Sequence, residues 1–301
     1  MTAAPARVVS LVPAATEMVV TLGAEARLVG ISHECDYPPR LSRLPRVTST
    51  PIDPTRDGAT IDQAVRDALA AGTPLFAVDA DRLAALRPDL VLTQAVCQVC
   101  AVAEGSVVDL AAALDPKPMV VSLGARTRDG IFEDLVAVGT ALDLAADAEE
   151  LVAGLRYRID RVKAEPIEVR PRVVAIEWLE PLFLAGHWVA EMIEAAGGKD
   201  VGASPGEHSR ERAWSEVAAL EPEVVFVALC GFDADRSAAE WRRFVGGGST
   251  AAEAARGLGH QVYALDGNGH VSRPGPRVVD GIEAMAAALR GRRDGSVRVL
   301  S

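Results

Sequence analysis

Cysteine and histidine gather in a few short segments of this chain. Gln94-Ala95-Val96-Cys97-Gln98-Val99-Cys100 carries a Cys-x-x-Cys pair, a spacing at which one loop offers two thiolates to one ion. Cys35, in His33-Glu34-Cys35-Asp36-Tyr37, Cys230, before Gly231-Phe232, His33 or His208 would complete a soft or borderline site for Zn or Fe. The competing reading is that Cys97 and Cys100, flanked by Val96 and Val99, pack as small apolar side chains. A second set of residues suits a large planar ligand. Trp178 in Glu177-Trp178-Leu179-Glu180-Pro181 and Trp188 in Gly186-His187-Trp188 offer flat aromatic faces, or else pack a loop beneath a helix. Glu34, Cys35, Glu180, His187, His208, Phe232 and His270 stand in similar segments, and Arg273 is placed to meet ligand carboxylates or amides. Trp214 and Trp241 read as packing residues.

Motifs for catalysis are missing. The chain has no Gly-x-Gly-x-x-Gly, phosphate loop, Gly-x-Ser-x-Gly or His-Glu-x-x-His. A Cys nucleophile, Cys35 or Cys97 beside His33 or His208, has no spacing that specifies it. Binding is therefore expected ahead of catalysis.

The elements that must position these residues alternate strand and helix, the pattern of a parallel α/β fold. Arg7 to Val12 reads as a strand stopped by Pro13, and Thr16 to Leu22 as a helix ended by Gly23. Strands follow at 29–32, 89–93 and 119–123, with a helix at 81–86. Residues 128–165 carry apolar side chains at helical spacing without a proline, predicting one long helix or two abutting ones. The pattern then restarts. Arg7-Val8-Val9 recurs as Arg172-Val173-Val174, and Leu86-Arg87-Pro88-Asp89-Leu90-Val91 recurs as Leu220-Glu221-Pro222-Glu223-Val224-Val225. In both junctions the proline cannot continue the helix, and a strand begins at once. The expected organisation is an N-terminal lobe at 1–127 with an insertion at 51–74 (one short helix at 61–71), a connecting helix at 128–165 and a C-terminal lobe at 166–301. A ligand cleft between the lobes, at the carboxyl ends of the strands, follows from that arrangement. All four cysteines and four of the five histidines fall in segments that would rim it.

Composition narrows the partners. With 31 Lys and Arg against 42 Asp and Glu, the net charge of -11 argues against nucleic acid and anionic membrane as partners. The start of the chain lacks the pattern of a secretory signal and no apolar run is long enough to span a bilayer, so a cytosolic location with reduced thiols is expected.

Val8-Val9-Ser10-Leu11-Val12-Pro13-Ala14-Ala15-Thr16-Glu17, Val29-Gly30-Ile31-Ser32, Asp36-Tyr37-Pro38-Pro39 and the two Pro junctions resemble the corrinoid-binding proteins of vitamin B12 import. The resemblance continues through Gly197-Gly198 and Ser272-Arg273-Pro274-Gly275-Pro276-Arg277, nearly the whole chain. It implies two Rossmann-like lobes with parallel sheets joined by a long helix, little hinge motion, and a corrinoid, haem or iron chelate lying flat in the cleft. It also implies a membrane permease that reads one Glu on each lobe, seven residues before the junction proline. Here those positions hold Asp81 and Ser215, so such docking is not expected to survive intact. The expected function is binding of a cobalamin-like corrinoid or related tetrapyrrole as a soluble binding module. The alternative is a metal-binding protein or metalloenzyme using the Cys/His cluster in the same cleft.

Overall fold

In the computed structural model, which describes residues 4–95, 104–165 and 167–301, the chain forms two compact units. The first comprises Met1–Thr55, Gln63–Ala125 and Asp129–Gly154. Its strands are β1 (Val8–Ser10), β2 (Leu28–Ile31), β3 (Thr48–Ser49), β4 (Ala77–Val78), β5 (Leu90–Gln94) and β6 (Met119–Leu123), and its helices include α1 (Pro13–Thr21). The remaining helices of this part of the chain are α2 (Gly58–Ala70), α3 (Ala80–Leu86), α4 (Glu104–Ala112), α5 (Arg128–Ala141) and α6 (Ala145–Lys163). The main sheet runs β2-β1-β5-β6, all parallel. Its inner strands are continuous apolar runs, with Val8, Val9, Leu90, Val91 and Leu92 fully buried, as a sheet covered on both faces requires. Pro13 opens α1, where a missing N–H costs nothing, and Asp79 caps α3 by accepting from the Arg82 N–H.

The second unit comprises Arg56–Asp62, Arg126–Arg128 and Leu155–Ser301. It contains β7 (Arg172–Leu179), β8 (Leu182–Leu184), β9 (Lys199–Asp200), β10 (Arg210–Glu211), β11 (Val224–Val227), β12 (Gln261–Ala264) and β13 (Arg298–Val299). Its helices are α7 (Val189–Ala196), α8 (Trp214–Ala219), α9 (Ala234–Val245), α10 (Thr250–Arg256) and α11 (Val278–Leu289). The sheet order is β10-β8-β7-β11-β12-β13, with β9 also on β7. β7, β9, β11 and β12 pair in parallel, whereas β8, β10 and β13 add antiparallel edges. Glu177-Trp178-Leu179, expected as a loop beyond a strand, instead ends β7, and Glu180-Pro181 turns it into the β8 hairpin.

The internal repeat extends to individual hydrogen bonds. In the first unit the Arg7 side chain donates to the Leu86 and Arg87 carbonyls, and the Asp89 carboxylate accepts from the Arg7 N–H at 2.9 Å. In the second, Arg172 donates to the Leu220 and Glu221 carbonyls, and Glu223 accepts from the Arg172 N–H at 2.8 Å. Arg87 and Glu221, before the two prolines, both adopt the left-handed conformation that closes their helices. The charged pair thus anchors each helix end to the first strand of its unit.

Of the two forms expected for 128–165, the structure has the abutting helices. The 128–165 segment is two helices, α5 and α6, separated at Asp143, which is left-handed at φ 59°. Gly139 makes the reversal possible: a Cβ there would meet the Ala148 methyl at 2.4 Å, so the start of α6 packs directly on the end of α5. The two units divide the chain inside α6, at Gly154. In the second unit Arg158 of α6 spans Asp280 at 2.5 Å and Glu283 at 2.6 Å on α11.

Asp200 gives the fold a measurable pH dependence. Burial pushes its carboxyl up to about 6, against the opposing N–H bonds from Gly202 and Ala203. The native state therefore holds more protons than the unfolded chain between about pH 4 and 6, and stability falls as pH rises through that window. Asp200→Asn, which keeps the acceptor oxygen, is expected to be more stable than the parent above pH 6 by roughly 2–3 kcal/mol. Denaturant titrations should show the two proteins converging near pH 4; a difference independent of pH would refute the assignment.

Candidate functional site

Open α/β sheets bind ligands beyond the carboxyl ends of their strands, and each unit gathers polar and aromatic side chains there. In the second unit the half-buried Trp178 ring lies 5.5 Å from that of Phe232, tilted by 56°. Phe232 is fixed by backbone bonds, its N–H to Leu229 and its carbonyl to Asn268, and the Arg236 guanidinium lies 3.6 Å over its ring. The loop after β11 is tied back to β7 by the Cys230 N–H, which donates to the Glu177 carbonyl at 3.0 Å. Gly58, Ala59, Glu180, Glu240 and Arg243 complete the walls of a cavity of only about 10 Å³ beside Trp178.

A second cluster in this unit centres on His187. Its backbone is left-handed at φ 56°, a conformation that costs a non-glycine residue about 1–2 kcal/mol. The surrounding loop imposes it: the His187 N–H donates to the Glu207 carbonyl, and the Gly206 N–H donates to the His187 carbonyl at 2.9 Å. Gly186 lets that loop approach, because a Cβ there would lie 2.4 Å from the Ser209 nitrogen. The exposed His208 ring stands edge-on to His187 at 5.1 Å. His187 Nε2 is buried with no partner, and burial, reinforced by His208 and Arg126, holds this imidazole's pKa below the usual histidine value.

The first unit carries the counterpart of this arrangement after β2. His33 Nδ1 lies 2.6 Å from Thr48 Oγ1, which donates to Ser32 Oγ at 3.0 Å. Its Nε2 is buried without a partner, and burial, then the Arg46 charge, lowers its pKa. Arg46 holds the loop by donating to the Ser32 and Cys35 carbonyls.

A model of the family described as "Periplasmic binding protein" matches residues 8–241. The chain belongs to the periplasmic binding protein family. It is similar to the vitamin B12-binding protein of Vibrio cholerae serotype O1, with 21% identity over 287 residues, 94% of this chain and 89% of the relative. Among solved structures it resembles the periplasmic heme binding protein of Pseudomonas aeruginosa, with a TM-score of 0.67 and 21% identity over 99% of this chain and 95% of that one. The periplasmic vitamin B12 binding protein of Vibrio cholerae has a TM-score of 0.61 and 19% identity, covering 95% and 97% of the two chains. These likenesses establish the two-unit α/β fold expected from the sequence.

Several residues of this periplasmic binding protein depart from their expected roles. Trp188 is 5% exposed and its indole N–H donates to the Val271 carbonyl at 2.8 Å, so it packs inside the unit and presents no stacking face. Trp188→Phe is expected to cost about 1–3 kcal/mol by leaving that carbonyl unpaired, read as a lower denaturation midpoint; an unchanged midpoint would show the bond to be dispensable. Arg273 is also buried and donates to Asn268 Oδ1, positioning the turn that bears the half-buried His270. Phe232 is 3% exposed, reached through Trp178 and Arg236. Glu34, Glu180 and His208 are exposed as a ligand surface requires.

The residues of the metal reading are placed as follows. Cys35 is 1% exposed in the first unit, its sulfur 3.1 Å from Thr16 Oγ1, which donates to Ser10 Oγ. Cys230 is exposed in the second unit. Cys97 and Cys100 lie outside the described residues. Among the described residues no three His, Cys, Asp or Glu are grouped to hold a metal ion. Trp241 is buried and Trp214 stacks on Phe244 at 5.1 Å, both in the core as expected. The sequence did not point to the contribution of 56–59, Arg236 and Arg243. Arg236 and Arg243 lie on one face of α9, but nothing local shows that the inserted segment meets Trp178.

Proposed function

We propose that this periplasmic binding protein binds a metal-bearing macrocycle, a corrinoid or haem, through the loops at the carboxyl ends of its strands. The observation that carries the reading is the half-buried Trp178, tilted against Phe232 at the end of β7 and flanked by exposed Glu180. An aromatic face with a polar neighbour suits a large planar ligand fringed with carboxylates or amides. The names of the similar proteins, which bind vitamin B12 and heme, support the ligand class. The lowered pKa values of His33 and His187 keep both imidazoles neutral near pH 7, the form that avoids repelling a cationic metal centre.

Titration of the purified protein with haemin and with cyanocobalamin, followed by visible absorption, tests the reading. A saturating band shift at near-stoichiometric ligand is expected for one of them. No shift with either ligand would overturn it.

Two subsidiary expectations belong to the same proposal. Asp81 is exposed on α3 and Ser215 is exposed on α8, so a permease that reads acidic groups would gain an ion pair from Asp81 alone. We also propose a cytosolic location, a reducing compartment in which the exposed Cys230 thiol would stay reduced. Recovery of the native protein in an osmotic-shock fraction would overturn that placement.

A further inference from the structure

The ring that the binding reading depends on is partly covered. Within the second unit, Gly58 and Ala59 lie beside Trp178: a Cβ on Gly58 would sit 3.5 Å from Trp178 Cζ2 and 3.8 Å from Cε2. The cavity left beside the ring, about 10 Å³, holds one water at most. Two arginines of α9 hold the cover in place. Arg236 donates to the Arg56 carbonyl at 2.6 Å, and Arg243 lies 3.9 Å from the Asp57 carboxylate while also pairing with Glu240. Asp57 in turn caps α2 by accepting from the Thr60 N–H at 3.0 Å, so the cover is the capped start of a helix.

We propose that residues 56–59, positioned by Arg236 and Arg243, form a selectivity wall that decides which ligands reach the Trp178 face. A planar ring stacks there only after the wall has moved, so the apparent affinity is reduced by the fraction of molecules in which it is open. A ligand whose other contacts are strong displaces it, whereas one that offers only a flat apolar face does not. Arg236 and Arg243 are thus positioning residues, acting on the ligand through the wall. The inference rests on the proposed macrocycle binding and adds the element that sets its specificity.

Two variants of opposite sign test it. Arg236→Ala/Arg243→Ala frees the wall, and Gly58→Ala adds a methyl at ordinary contact distance from the ring and thickens it. For each protein, acrylamide quenching measured against its own Trp178→Phe partner isolates the accessibility of Trp178. The double variant is expected to show about twofold greater Trp178 quenching and at least about threefold tighter binding of haemin or cyanocobalamin, and Gly58→Ala a decrease in both. Quenching that responds to neither variant overturns the wall alone. Quenching that responds while the Kd of a ligand bound by the parent stays fixed overturns its part in specificity. Absence of binding to all three proteins overturns the binding reading, and this inference with it.

Discussion

Alanine at Gly267 is expected to lower the stability of the second unit by about 3 kcal/mol or more, a large effect for a single added methyl group. Gly267 opens the turn after β12, and an added Cβ would lie 2.1 Å from the Leu229 carbonyl oxygen and 2.6 Å from the Ala228 carbonyl carbon. Both obstacles are backbone, held by parallel β11–β12 pairing and by the Leu265 N–H bond to Val227, so no side chain can swing aside. The strain should spread to the binding surface, because Asn268, next in the turn, donates its N–H to the Phe232 carbonyl. Gly231→Ala is the control. Gly231 is left-handed at φ 76° with open space around its Cβ direction, so alanine there should cost only about 1–2 kcal/mol. Thermal denaturation of the three proteins measures the contrast; a Gly267→Ala midpoint equal to that of Gly231→Ala would show that β11 and β12 yield more readily than their pairing implies.

Removing the Trp178 ring should have the largest effect on binding. Trp178→Ala is expected to weaken binding of haemin or cyanocobalamin at least about tenfold, the loss expected when one aromatic stacking partner is deleted. Because the ring is half-buried and faces Phe232, the same change should also destabilise the unit, so affinity and stability must be read together. Trp178→Phe separates them: it keeps an aromatic face and should retain affinity to within about threefold. Parent-like affinity in Trp178→Ala would move the ligand surface away from β7, toward the His187 and His33 clusters. The ordering of three proteins then becomes informative, with Trp178→Ala weakest, the parent intermediate and the Arg236→Ala/Arg243→Ala protein tightest.

The sequence by itself determined what depends on neighbours along the chain. Apolar runs of three to five residues broken by Pro13, Pro88 and Pro222 located β1, β5 and β11, because strand burial and a proline's missing N–H act within a few positions. The repeat was legible for the same reason: Arg7 with Asp89 and Arg172 with Glu223 occupy equivalent places and make equivalent bonds. The family was legible through those junctions. Tertiary structure decided what depends on partners distant in sequence. Trp178 and Trp188 stand ten residues apart in similar settings, yet the Val271 carbonyl takes one indole into the interior while the other stays half-buried at the strand end. Cys35 is a packed thiol because Thr16 of α1, itself bonded to Ser10 of β1, comes to meet it. Helical periodicity left 128–165 as one helix or two, because the break falls on Asp143, with no proline to mark it, and depends on Gly139 admitting Ala148. The cover on Trp178 joins residues more than a hundred positions apart, through contacts no local pattern encodes: backbone propensity and periodicity are set by near neighbours, whereas the exposure of a side chain is set by whatever the folded chain brings over it.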